Sequence, residues 1–307
     1  MFDARFFSLY LISVFDFFMY IFQRVADLQS FLEEQGKSIG FVPTMGALHQ
    51  GHISLIERSK QQNELTVCSI FVNPLQFNDP KDLEKYPRPV AADIEKLAAA
   101  ACDVLFLPDV EEMYPQGTQH REHYDFGFTG ITLEAEFRPG HFDGVAQVVK
   151  RLLDIVRPHR LYMGLKDFQQ VLIVEQMMEQ HRIQVELVKC DTLREADGLA
   201  MSSRNGYLSA EERAIAPTLY ATLMNCVERL RAGEHDYTAL QTEAKERLAA
   251  AGFRPDYCEI RRAEDLQWPA PDDADVRIFA AAWLGRARLI DNVPVGRESL
   301  GLIAVQN

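Results

Sequence analysis

Residues 39–62 read IGFVPTMGALHQGHISLIERSKQQ, and this stretch decides the class of fold. Ile39–Val42 is a short apolar run of the kind that forms a buried strand. Pro43 and Thr44 follow, then a small-residue loop with Gly46 and Ala47, then His49 and His52. After Gly51 and His52, ISLIERSKQQ has the apolar spacing of a helix. A strand that turns through glycine into a helix start aims backbone N–H groups and the positive end of the helix dipole at one spot, the usual geometry of a phosphate site. His49 and His52 add side-chain donors that can carry a proton at neutral pH. The stretch therefore reads as a nucleotide site. Two plainer readings compete with it: an HxxH metal pair, or a helix merely capped by His52. A zinc centre needs a third ligand and its own supporting shell. The other histidines (His120, His123, His141, His159, His181, His235) are scattered, and only His141 lies in another glycine-containing motif.

The surrounding chain repeats the strand–helix alternation. LTVCSIFVN (65–73) is a continuous apolar run, as expected of a strand covered on both faces. DIEKLAAAACDVLFLPD gives a helix leading to a strand near Val104–Leu107. VAQVVKRLLDIV (145–156) is helical, RLYMG (160–164) a strand, FQQVLIVEQMMEQH a helix and QVELVKC (184–190) a strand. This order predicts an α/β fold with a Rossmann-like parallel sheet, helices on both faces and right-handed crossovers. Its ligand should gather beyond the carboxyl ends of the strands. From about residue 194 the texture changes: the loop DGLAMSSRNGYLS precedes two long helices at about 210–231 and 236–251. Short strands follow near Tyr257–Arg261, Val276–Ala282 and Ala287–Asp291, predicting a smaller C-terminal α+β domain. The expected division is 19–193 for nucleotide and acid-substrate binding and 194–307 for the domain carrying the MSSR loop.

Composition narrows the function. At 307 residues the chain can bury two modest cores. A net charge of −13 argues against a nucleic-acid partner, because a phosphate backbone wants a basic face. Any anionic substrate must then be held by a local cluster of positive groups. The five cysteines lack a CxxC pair, which suits a reducing, cytoplasmic setting. FFSLYLISVFDFFMYIF near the start is apolar, but Asp16 interrupts it and it falls short of a membrane span. It lacks a small-residue cleavage site, so a signal peptide fits poorly. Residues 1–18 read as an extension or an upstream mis-start, with Met19 a sensible beginning.

Four further segments carry chemistry. Asn73 and Gln76 end the second long strand, where Pro74 stops the ladder, and uncharged amides there suit recognition of hydroxyls or a carboxyl oxygen. Simple turn capping is an equal alternative for Asn73. FRPGHFDGV places Arg138 and His141 on a glycine-containing loop before a helix, in an anion-facing or lid role. MGLKDFQQ ends a strand with Lys166, able to meet phosphate as a point charge, and opens a helix with Gln169 and Gln170. MSSRN (201–205) offers Ser202, Ser203 and Arg204 on a loop that can cover phosphates.

Together PTMGALHQGH, SIFVNPLQF, YPR (86–88), FRPGHFDGV, GLKDFQQ and READGLAMSSRN resemble, in order and spacing, the pantoate–β-alanine ligase family, from about Met19 to the C-terminus. That family belongs to the nucleotidyltransferases with HIGH and KMSKS signatures; HQGH would be the first and MSSR the counterpart of the second. The resemblance implies ATP-dependent condensation of (R)-pantoate with β-alanine to pantothenate, through a pantoyl adenylate, with release of pyrophosphate and AMP. It implies an ATP site of Met45, Gly46, Ala47, Leu48, His49, Gln50, Gly51, His52, Gly164, Leu165, Lys166, Asp167, Leu193, Met201, Ser202, Ser203 and Arg204. His52 would be a proton donor, with His49 and Lys166 the other catalytic groups. Gln76 and Gln170 would hold pantoate, and Gln76 would also meet β-alanine. Mg2+ would accompany ATP, and the protein would be a cytoplasmic homodimer with small-molecule substrates and neither nucleic-acid nor membrane partners. Two positions depart from the family: Leu165, where Glu is frequent, and Ala91–Ala92 before Asp93, where acidic residues are common. No metal ligand is therefore assigned.

Other readings are a related nucleotidyltransferase with a different small acceptor, and a nucleotide-sensing module without chemistry. The first need not combine Gln76, Gln170 and the FRPGH loop; the second is opposed by His52, Lys166 and Arg204.

Overall fold

The computed structural model describes residues 10–14, 17–78, 80–119, 122–270, 273 and 275–296. Of the N-terminal extension, residues 1–9, 15 and 16 lie outside the described residues, as does His120. The chain divides into two compact units. The first comprises residues 1–165 and 169–191, the second residues 166–168 and 192–307.

In the first unit β1 (Tyr10–Val14) and β2 (Phe17–Phe22) precede α1 (Val25–Gln35), β3 (Ile39–Thr44), α2 (Gln50–Gln62) and β4 (Leu65–Ile70). Then come α3 (Pro80–Lys85), α4 (Val90–Ala99), β5 (Val104–Phe106), α5 (Val110–Met113), α6 (Glu134–Phe137) and α7 (His141–Val156). The unit ends with β6 (Arg160–Gly164), α8 (Phe168–Gln180), which begins on a residue of the second unit, and β7 (Glu186–Cys190). The sheet order is β1-β2-β5-β4-β3-β6-β7. Every pairing is parallel except the edge pair β1–β2. The expected α/β architecture is present.

The central strands β3, β4 and β5 are almost wholly apolar and buried, as strands covered on both faces must be, whereas the edge strand β7 carries exposed Glu186 and Lys189. Phe41, Val42, Val67, Cys68, Val104, Leu105 and Phe106 are all fully buried. Each large apolar side chain so removed from water contributes roughly 1.5–3 kcal/mol. Pro43 is tolerated in the central strand because β6 pairs with β3 only at Gly40 and Phe41. From β3 the sheet grows one way through β4 and β5, while β6 lies on the other side. The reversal falls between β3 and β6, and the crevice beyond their carboxyl ends is where a ligand belongs.

The second unit contains α9 (Ala210–Ile215), α10 (Thr218–Arg231), α11 (Tyr237–Ala250), β8 (Arg254–Arg262), β9 (Val276–Leu284) and β10 (Ala287–Pro294). The strands form an antiparallel sheet in the order β10-β9-β8, packed with Leu219, Leu223, Val227, Leu240 and Leu248 of the helices. The single helix expected over 210–231 is two. Pro217 has no N–H to continue the α9 ladder, and its fixed φ suits the start of α10 instead.

Candidate active site

The loop between β3 and α2 is held by an internal anion. Gly46 has φ +80°, and a Cβ there would lie 3.0 Å from both Asp93 Oδ2 and Ile70. The position requires glycine. Ala47 also lies in the left-handed region, with φ 50°. This turn directs the Ala47 and Leu48 N–H groups to the two oxygens of Asp93, each at 2.7 Å. Asp93, on α4, is fully buried. Lys96, one turn on, donates to the Leu48 carbonyl at 2.6 Å. Thr44 Oγ1 donates to Ser69 O at 2.7 Å and accepts from Gly46 N–H at 3.2 Å, tying the loop to β4. The loop N–H groups of Ala47 and Leu48 thus serve a protein carboxylate, and the role of Asp93 is visible only in three dimensions.

The start of α2 is closed by its own histidines. His49 Nδ1 accepts the Gly51 N–H at 3.2 Å, and His52 Nδ1 accepts the His49 N–H at 3.3 Å. This is a capping box built from two imidazoles, with ring centroids 4.1 Å apart. In both rings Nδ1 is the acceptor, so the proton of a neutral ring belongs on Nε2. His52 thus takes part in the cap, through its Nδ1.

The amides after β4 form a second knot. Asn73 is buried and accepts from Leu75 N–H at 3.2 Å and from the Tyr114 hydroxyl at 2.9 Å, while donating to Gly144 O at 2.9 Å. It is a turn cap. Gln76 accepts from Asn73 Nδ2 at 3.3 Å and donates to Met45 Sδ at 2.8 Å, which joins it to the histidine loop. His141 is buried too: its Nε2 faces Arg138 Nη1 at 3.0 Å and its Nδ1 faces Gln76 O at 2.9 Å. Guanidinium can only donate, so Nε2 accepts and Nδ1–H donates to the Gln76 carbonyl. The FRPGH loop, expected to face an anion or act as a lid, thereby fixes the turn that bears Gln76. Gln169 is internal: it accepts from Glu134 N–H at 3.0 Å and donates to Thr129 O and Thr132 O at 2.7 and 2.8 Å. Gln170, next on α8, is half-buried. Gly164 ends β6 with nothing within 4 Å of a Cβ placed on it, and Leu165 opens a short 3-10 turn.

In the second unit Lys166, Ser202 and Arg204 line one pocket, together with Asn205 and Asp291. Lys166 Nζ lies 3.6 Å from Asp167. Leu193 O accepts from Met201 N–H at 3.0 Å, closing the base of the MSSR loop. Ser202 caps the turn through Arg204 N–H at 3.2 Å, and Asn205 Nδ2 donates to Ala200 O at 3.0 Å. Two of the expected phosphate cations therefore share one wall with a serine.

Among the described residues no group of three or more His, Cys, Asp or Glu side chains could hold a metal ion. Asp93 is committed to the loop, so the donor set does not form a resident magnesium cage.

The profile of the family described as pantoate-beta-alanine ligase matches residues 20–294. This chain belongs to that family. Pantothenate synthetase from Pseudomonas fluorescens (strain Pf0-1) is 49% identical over 265 residues, covering 86% of this chain and 93% of the relative. The enzyme from Thiobacillus denitrificans is 48% identical, with 90% and 97% covered. The crystal structure of pantothenate synthetase from Thermus thermophilus superposes with a TM-score of 0.85 at 43% identity, covering 90% of this chain and 99% of that one. Pantoate-beta-alanine ligase from Francisella tularensis, complexed with beta-gamma ATP and beta-alanine, superposes with a TM-score of 0.76 at 36% identity, covering 90% and 98%. The ligase described here performs its family's reaction: ATP-dependent condensation of pantoate with β-alanine to pantothenate, through an adenylate.

Proposed function

We propose that ATP is held by two sets of groups. The first is the loop from Met45 to His52 with Gly164 and Leu165. The second is Lys166, Asp167, Leu193 and the Met201–Arg204 loop. Pantoate lies against Gln76 and Gln170, and β-alanine enters beside Gln76. The observation that supports this reading is the reciprocal histidine cap, which commits both Nδ1 atoms to backbone N–H groups and so fixes both rings at the start of α2.

The chemistry follows from charge. A carboxylate attacking the α-phosphate of ATP meets anion–anion repulsion, so the enzyme must place donors and cations around charge that develops in the transition state. His52 donates from Nε2, with His49 beside it, while Lys166 and Arg204 neutralise the departing pyrophosphate. Gln76 and Gln170 orient pantoate without neutralising its attacking oxygen. The amine of β-alanine then displaces AMP from the acyl carbon. Magnesium enters with the nucleotide, bound chiefly by phosphate and water as is usual for this ion, and none of these steps is assigned to it. We further assign the enzyme to the cytoplasm, as a homodimer; its described cysteines are all free thiols.

The test is stepwise. Pyrophosphate should appear from ATP only when pantoate is present, and AMP only after β-alanine is added. ATP binding and pyrophosphate release unchanged in both Lys166→Ala and Arg204→Ala would defeat the proposed ATP site.

A further inference from the structure

We propose that Asn292 is a positioning residue for Lys166, and that its neighbour Asp291 positions the loop bearing Ser202 and Arg204. The proposal rests on the assignment of Lys166 and that loop to ATP.

Asn292 and Asp291 sit next to each other on β10 and are each 4% exposed. Asn292 Nδ2 donates to the Lys166 carbonyl at 2.9 Å, and its Oδ1 accepts from Arg277. The Arg277 guanidinium lies 4.2 Å over the Phe168 ring, whose centroid is 5.6 Å from that of Phe279 in a T-shaped arrangement. The short segment 166–168 is thus gripped at its first residue by an amide and at its last by a cation and a ring.

Asp291 grips the other segment. Its oxygens take Arg194 Nη1 and Nη2 at 2.6 and 2.9 Å, and Oδ1 also accepts the Asn292 N–H at 2.7 Å. Arg194 in turn donates to Gly198 O at 3.0 Å and lies 4.0 Å over the Tyr220 ring. Arg194 pairs across to Ala200, two residues before Ser202. Successive strand residues face opposite sides, so one short piece of β10 can serve both cationic segments. A bidentate carboxylate–guanidinium pair with its carboxylate buried has a fixed geometry, and that rigidity carries to the pocket that Lys166 and Arg204 both line.

Asn292→Asp separates positioning from folding. It keeps an oxygen toward Arg277 but replaces the donor to Lys166 with a second oxygen. We expect kcat for pantoate-dependent pyrophosphate release to fall by about ten- to a hundredfold, the scale of a displaced reacting group. KM for pantoate should stay within about twofold, since the amides that hold it are elsewhere. In a Lys166→Ala background the same change should cost nothing more, because its effect runs through that lysine. Unaltered kcat in Asn292→Asp, or an equal further loss on top of Lys166→Ala, overturns the proposal. Normal turnover in Lys166→Ala alone instead overturns the assignment beneath it. Asn292→Ser, which shortens both arms, should give the same split between kcat and KM, and provides the comparison should Asn292→Asp not fold.

Discussion

Asp93 lies 45 residues after Leu48 in the chain, yet its Oδ1 accepts the Leu48 backbone N–H at 2.7 Å. The same carboxylate takes Ala47, so the loop following β3 is held by a charge from α4. Asp93→Asn turns one of these oxygens into an NH2 group facing an N–H. Leaving a buried donor unsatisfied costs about 1–3 kcal/mol, and more where the lost partner was charged. We expect urea unfolding to shift by at least that much and turnover to fall with it. A variant with an unchanged midpoint would show that the loop holds its shape without the carboxylate.

The histidine cap predicts a tautomer. Nitrogen-15 spectra of the rings should place the proton on Nε2 in both His49 and His52, with Nδ1 bare. His52→Ala should lower pyrophosphate release by about a hundredfold or more, the effect of losing one transition-state donor. A protonated Nδ1 at neutral pH would contradict the cap.

Gly144 approaches the turn bearing Gln76 from α7. A Cβ there would lie 2.4 Å from Leu75 O and 2.8 Å from Gln76 N, and backbone cannot step aside as a flexible side chain can. Gly144→Ala should raise KM for pantoate by about tenfold, the effect of lost ground-state binding, with a smaller effect on KM for ATP. Equal rises for both substrates would remove Gln76 from its assigned acid.

Burial raises the thiols. Cys102 goes from its ordinary 9.0 to about 12, chiefly by desolvation, and Cys190 to about 11 for the same reason. A group that keeps its proton longer when folded stabilises the fold fully below its unfolded pKa, and that contribution fades as pH rises toward the folded value. Stability should therefore decline between about pH 9 and 12, and a thiol reagent at pH 8 should label Cys102 only after denaturation. Rapid labelling of native Cys102 would mean the sheet opens locally.

Much of the architecture was legible because its strands are covered on both faces. Runs such as LTVCSI leave no alternation to misread, and β-branched residues bounded by turns mark their ends. The helix break was harder: Pro217 sits among good helix formers, where the sequence reads as one continuous helix. Asn73 could be a cap or a ligand on its pattern alone; its bond from Leu75 N–H makes it a cap, and the Tyr114 and Gly144 contacts engage the rest of its amide. Asp93, His141 and Asn292 share another difficulty. Each acts on a backbone group far away in the chain, and a contact between a side chain and a distant carbonyl or N–H leaves no local periodicity behind.

The sheet edge at β2 has a consequence for any shortened form of the chain. Tyr10–Val14 pairs along β2, with Ile12 opposite Met19. A product begun at Met19 loses that cover and leaves an aromatic strand end whose main-chain donors and acceptors on that side face solvent. Bare edges of this kind recruit other strands. In such a product the first property to change would be colloidal: it would self-associate with rising concentration while its chemistry stayed intact.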